Sequence, residues 1–150
     1  MYGRKAAMAK YVTTIESSRP ASEAFAYLAD FANAKVWDPS VSESRRVGEE
    51  PLGVGSAFDL VARFAGRDVP LRYSIVSYEA PRRVVLEAQR PGFVSRDTIT
   101  VEPAVGGSTV HYDAVLAFSG IGRLFDPLMQ RIFDRVGARA TAGMAAALNS

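Results

Sequence analysis

Residues 120–148 read GIGRLFDPLMQRIFDRVGARATAGMAAAL. Leu124, Leu128, Ile132, Val136 and Ala140 recur at every fourth position, with Phe125, Met129 and Phe133 beside them. That spacing draws an apolar stripe along an α-helix and does not suit a strand, whose faces alternate every two residues. Asp126-Pro127 suits a cap and first helical residue, because the N–H that proline lacks has no partner there in any case. The alternative is a start near Ile121 with Pro127 in the first turns. From Pro127 to Leu148 the helix would run about 33 Å at about 1.5 Å per residue.

Upstream, residues 40–119 carry the opposite periodicity. Val41–Val47, Ser56–Ala65, Val69–Glu79, Arg83–Gln89, Phe93–Glu102 and Ser108–Ser119 read as strands. Phe58, Leu60, Ala62 and Phe64 share one face against Asp59 and Arg63. Leu71, Tyr73 and Ile75 do the same on the next strand. The breaks are rich in Gly and Pro: residues 51–55, a tight turn at Gly66-Arg67-Asp68, then Ala80-Pro81-Arg82, Pro91-Gly92 and Val105-Gly106-Gly107. Connections this short predict an antiparallel meander. Before it, Lys10–Glu16 reads as a first strand, residues 20–30 as a helix opened by Pro20, and Phe31–Trp37 as a second short helix ended by Asp38-Pro39. Gly120-Ile121-Gly122 ends the sheet. An antiparallel sheet with one apolar face needs a cover, and the long helix supplies it. The expected class is therefore α+β, with a concavity between sheet and helix as the default ligand site.

Composition narrows the chemistry. The chain has 150 residues, 48% apolar and 23% charged, which suits one ordered domain. Residues 1–8 are expected to be a disordered tail and residues 9–150 a single domain. With no cysteine and one histidine, His111, there is no material for a thiolate or multi-histidine metal site, so no metal and no cofactor is expected. A net charge of +2 without a basic cluster predicts no nucleic-acid partner. No run approaches the roughly 20 apolar residues of a membrane span, and the basic N-terminus lacks the apolar segment of a secretory signal. A cytoplasmic monomer or homodimer without integral membrane association is expected. Glu49-Glu50 reads as solvated surface, and Gly53-Val54-Gly55 lacks the lysine and helix of a phosphate loop.

Particular stretches resemble a known family. They are Arg19-Pro20-Ala21-Ser22-Glu23-Ala24-Phe25, Asp30-Phe31-Ala32-Asn33, Val36-Trp37-Asp38-Pro39-Ser40-Val41, Glu79-Ala80-Pro81-Arg82-Arg83-Val84-Val85, the Gly-Gly-Ser-Thr-Val-His-Tyr strand at 106–112, and Gly120-Ile121-Gly122-Arg123-Leu124. In order and spacing they resemble the START/birch-pollen-allergen superfamily (SRPBCC), in its polyketide cyclase/dehydrase-like branch, over roughly residues 9–148. The resemblance implies a helix-grip fold: a curved antiparallel sheet of about seven strands wrapped around the C-terminal helix, with two short helices after strand one. It also implies a deep, mostly apolar cavity. Members bind lipids, sterols, polyketides and plant hormones, and a minority catalyse cyclisation or dehydration. The shared motifs are turns and core positions, so they carry no fixed catalytic set onto this chain.

Alternation singles out candidates. Asp97 shares a face with Phe93, Ile99 and Val101. If that face is concave, burial would raise its pKa and make it an acid or base. The plainer alternative, a strand-end carboxylate near water or an arginine, stays open and is the commoner fate of such a residue. Tyr73 and Tyr112 also fall on apolar faces, as core tyrosines bonded to backbone or as partners for a ligand oxygen. Trp37 stands beside the cavity mouth that the resemblance implies, as a ligand contact or as an anchor of the short helix. His111 should face outward. Phe58, Leu60, Ile75, Leu86, Phe93, Leu116, Leu128 and Ile132 complete the expected ligand-binding set, as core or pocket wall. The leading expectation is binding of an apolar small molecule, lipid or polyketide-like, without an assigned reaction. The alternatives are a polyketide cyclase, aromatase or dehydratase using Asp97, Tyr73 and Tyr112, and a protein-interaction module without a working pocket.

Overall fold

The computed structural model describes residues 7–118 and 127–150. A seven-stranded antiparallel sheet has the order β1-β7-β6-β5-β4-β3-β2. Its strands are β1 (Ala7–Ser17), β2 (Val41–Val47), β3 (Ala57–Phe64), β4 (Arg67–Glu79), β5 (Arg83–Arg90), β6 (Phe93–Ala104) and β7 (Gly107–Phe118). Strands β2 to β7 pair in sequence, as their short turns require, and β1 closes the other side on β7. Helix α1 (Ala21–Ala29), a 3₁₀ turn (Phe31–Asn33) and the one-turn helix α2 (Ala34–Trp37) cross from β1 to β2. Helix α3 (Pro127–Leu148) packs against β1 and α2. Curved sheet, two small helices and long C-terminal helix make the helix-grip architecture.

Local chemistry explains the boundaries. The β3–β4 connection is tighter than the expected Gly66-Arg67-Asp68 turn: Phe64 pairs with Arg67, leaving Ala65-Gly66 as a two-residue loop. Both loop residues have positive φ, 54° and 80°, a geometry that matches the right-handed twist of the flanking strands. The single helix expected over Phe31–Trp37 is a 3₁₀ turn capped by Asp30, whose Oδ1 accepts from Ala32 N at 3.0 Å, followed by α2. Ala7 and Met8, expected within the tail over residues 1–8, pair with Phe118 and Ala117 in the sheet. Residues 1–6, the Gly120-Ile121-Gly122 sheet end, Leu124, Phe125 and Asp126 lie outside the described residues.

The sheet's two faces follow the alternation. On the convex face Asp59 sits between Arg45 at 3.2 Å and Arg72 at 2.7 Å. On the concave face Phe58, Ile75, Val84, Leu86, Ile99 and Val110 are buried in one cluster with α1's Phe25 and Leu28 and the 3₁₀ turn's Phe31. Helix α3 is rotated relative to the expected stripe. Its buried positions are Gly137, Ala140, Met144 and Leu148, while Leu128 is 58% exposed and Ile132 half-buried. The cause is close approach. A Cβ at Gly137 would lie 2.4 Å from the Tyr11 ring, and one at Gly143 would lie 2.0 Å from the Trp37 carbonyl oxygen. The helix turns its smallest residues inward, because only they let its backbone sit this near β1 and α2.

Candidate functional site

A cavity of about 150 Å³ lies between the concave face, α2 and α3. Leu60, Leu71, Ala114, Leu116, Val136 and Ala140 are among the aliphatic side chains of its wall, and Phe31, Tyr73 and Trp37 among the aromatic ones. The rings interlock edge to face. Trp37 stands at 80° to Tyr112 with centroids 6.0 Å apart, and Phe31 at 70° to Tyr73 at 5.3 Å. Phe64, Phe93, Phe118 and Phe133 are only half-buried and line the part of the cavity nearest solvent. They pair as Phe64–Phe133 at 6.4 Å and Phe93–Phe118 at 6.2 Å.

Into this apolar space the sheet projects a small polar cluster. Tyr73 and Ser95 stand on β4 and β6, two strands apart, and their hydroxyls meet at 2.7 Å. They can do so because the residue between them on β5, in register with both, is Ala88, whose methyl leaves room above the middle strand. Tyr112 on β7 donates to Asp97 Oδ2 on β6 at 3.1 Å. Asp38, just past α2, enters from the other side of the cavity wall. Its Oδ1 accepts from the backbone N–H and hydroxyl of Ser40 at 2.9 and 2.8 Å.

Burial governs the acidity of the cluster. It pushes the Asp97 carboxyl up to about 7, against the opposing hydrogen bond from Tyr112 and with added repulsion from Asp38 and Asp113. Burial also raises Asp38, and here the two bonds from Ser40 oppose the rise. Both phenols are raised far above the usual tyrosine value, first by burial and then by the charge of Asp97. Neither Asp38 nor Asp97 has a Lys or Arg partner among the described residues; Arg63, also on the wall, is paired with Asp68 at 2.8 Å. A value of about 7 lets Asp97 be protonated or ionised near neutral pH, and its Oδ1 has no donor among the described residues.

The expected site residues divide. Trp37, Leu60, Tyr73, Phe93, Asp97, Tyr112 and Leu116 line the cavity. Phe58, Ile75 and Leu86 do not: they are buried in the core, in one cluster with Phe25, Leu28 and Phe31. Leu128 and Ile132 are excluded by the rotation of α3, and Phe133, Val136, Gly137 and Ala140 take their place. Sequence reasoning passed over Ser95 and Asp38. The first was within reach, since it lies two residues from Asp97 on the same face. The second was read only as a helix stop. His111 faces outward, with Thr14 Oγ1 at 3.2 Å from Nδ1.

Among the described residues no helix is long and apolar enough to cross a membrane. Solved structures share the architecture. A START superfamily protein from Mycobacterium smegmatis superposes with a TM-score of 0.71 at 12% identity, covering 94% of this chain and 96% of that one. Major latex-like protein 151 from Panax ginseng gives 0.70 at 11% identity, covering 96% and 99%. The di-domain ARO/CYC BexL from the BE-7585A biosynthetic pathway gives 0.67 at 16% identity, covering 95% of this chain and half of that protein. At such identities the likeness shows the fold alone. No curated protein matches the sequence. The family described as polyketide cyclase / dehydrase and lipid transport matches residues 8–149, nearly the whole chain, and the protein belongs to that family.

Proposed function

We propose that the cavity binds a small apolar molecule that carries an oxygen, a polyketide-like ring compound before a lipid. One observation carries this reading: an apolar, partly enclosed cavity with hydroxyls and two carboxyls, Asp38 and Asp97, gathered on its wall. The apolar wall supplies the affinity and the few polar groups the orientation. Size supports the smaller of these ligands. A cavity of about 150 Å³ matches one small ring, whereas drug-sized ligands occupy pockets of roughly 300–1,000 Å³. A lipid chain would require the four phenylalanines to move apart.

Native mass spectrometry of the purified chain, set against its denatured mass, tests the reading. A dissociable excess from a small oxygenated ring compound supports it. If neither such an excess nor any response of Trp37, the single tryptophan, to added ring ketones is found, the binding reading fails. The enzyme alternative gains from the convergence of Asp97, Tyr112, Tyr73 and Ser95 in one pocket, the arrangement that proton transfer to a bound carbonyl needs. An interaction module would be favoured by a filled core, and no observation here favours it. We place the protein in the cytoplasm as a monomer or homodimer, without a nucleic-acid partner.

A further inference from the structure

We infer that Asp38 and Asp97 act as a base–acid pair that enolises a carbonyl compound held in the cavity. The inference rests on the binding reading above and names the chemistry of that same site.

Both carboxyl groups line the cavity, from different elements: Asp38 from the end of α2 and Asp97 from the middle of β6. Each has one oxygen engaged and one free. Asp38 Oδ1 is held by the two donors of Ser40, and Asp97 Oδ2 by the hydroxyl of Tyr112. Among the described residues no donor meets Asp38 Oδ2 or Asp97 Oδ1. The Asp97 side chain is almost wholly buried, and Asp97 is part of the cavity wall. A carboxyl group in an apolar site with a free oxygen and no cation is one that lacks its partner.

The surroundings separate the two roles. Two donors favour the ionised form of Asp38, one of them a backbone N–H. Asp97 has a single donor, deeper burial and the charges of Asp38 and Asp113 nearby, so it keeps its proton longer. The wall also carries the hydroxyls of Tyr11, Ser40, Tyr73, Ser95 and Tyr112 and the guanidinium of Arg63, which is paired with Asp68 at 2.8 Å. Burial raises both carboxyls, but two donors oppose the rise at Asp38 and only one at Asp97, an asymmetry that suits a base and an acid in one pocket.

The step balances without a co-reactant. The proton on the carbon next to the carbonyl moves to Asp38 Oδ2. The C–H electron pair becomes the carbon–carbon double bond. The carbonyl π pair moves onto its oxygen, which takes the proton from Asp97 Oδ1. The products are the enol, a neutral Asp38 and an ionised Asp97, whose charge the Tyr112 hydroxyl then stabilises. The reverse steps return the ketone. In D₂O the proton on Asp38 exchanges with solvent, so each cycle carries deuterium into the ligand.

Cyclohexanone and 2-tetralone, one-ring and two-ring ketones, serve as probes. Their α-proton signals are followed by NMR in D₂O with the full chain, and binding is read separately from Trp37 fluorescence. At ketone concentrations that saturate both proteins, judged from Trp37 fluorescence, the wild type is expected to speed exchange at least about 100-fold over the Asp38→Asn variant. The wild-type rate should fall as pH rises through the Asp97 titration, and Asp97→Asn should lack that limb, which a merely structural role would not produce. Ser40→Ala, which keeps both carboxyl groups, should move the acidic limb upward, and it keeps the test sound if Asp38→Asn fails to fold. Binding of the ketones with exchange no faster than in Asp38→Asn overturns the acid–base pair and leaves the binding reading standing. Absence of binding by both probes overturns the binding reading, and this inference with it.

Discussion

Tyr112 donates its hydroxyl to Asp97 Oδ2 at 3.1 Å from the adjacent strand, two residues out of register, since Tyr112 pairs with Ile99 and Asp97 with Ala114. The diagonal reach puts a phenol against a carboxyl that has no other donor among the described residues. The Asp97 titration and the shape of the cavity both depend on it.

Asp97 makes stability depend on pH. Its folded-state value is raised from 3.8 to about 7. Between those values the native state holds a proton that the unfolded chain has released, so this residue's contribution to stability falls as pH rises from about 4 to about 7, then levels off. In Asp97→Asn that dependence is absent. Urea denaturation at pH 4, 6 and 8 should show the variant gaining on the wild type by up to ~4 kcal/mol, all of it above pH 4. A constant difference across the series would refute the raised acidity constant.

Tyr112→Phe removes the one bond that favours the ionised carboxylate. The Asp97 titration should move further above 7, read from its side-chain carbonyl ¹³C shift. A downward move would mean that Tyr112 acts chiefly by keeping Asp97 away from solvent.

Gly143→Ala reverses a familiar sign. In an exposed helix, alanine gains about 1 kcal/mol over glycine. Here the new Cβ would lie 2.0 Å from the Trp37 backbone oxygen, so the variant should instead lose ~1–3 kcal/mol by overpacking, and Trp37 emission should shift as α2 is displaced. Gly137→Ala meets Cγ of the Tyr11 ring at 2.4 Å, and although the Tyr11 hydroxyl accepts from Thr141 Oγ1 at 3.1 Å, a side chain yields more readily than a backbone carbonyl, so the variant should cost less. Thermal melts of the two variants side by side check the order.

Phe133→Ala opens the solvent-proximal end of the cavity. The ring is half-buried, so the loss should be ~1–2 kcal/mol, below the roughly 3–5 kcal/mol of a fully buried phenylalanine. Stopped-flow Trp37 fluorescence should show 2-tetralone associating faster than with the wild type. An unchanged association rate would place the entry path elsewhere.

The sequence alone determined the strands, their antiparallel order, the long helix and the face that Asp97 shares with Phe93, Ile99 and Val101. All of these follow from local periodicity and short turns, which act over a few residues. Only the tertiary structure decided which way α3 turns. Two apolar ridges compete on that helix, and the choice went to Gly137, Ala140 and Gly143 because β1 and α2 come too close for anything larger. It alone separated pocket from core, removing Phe58, Ile75 and Leu86 from the wall, because burial looks the same in sequence whether the neighbour is α1 or empty space. It alone brought Tyr73 over Ala88 to Ser95, and Asp38 into the cavity with Asp97, since contacts between residues far apart along the chain depend on strand register and sheet curvature, which no stretch of sequence encodes by itself.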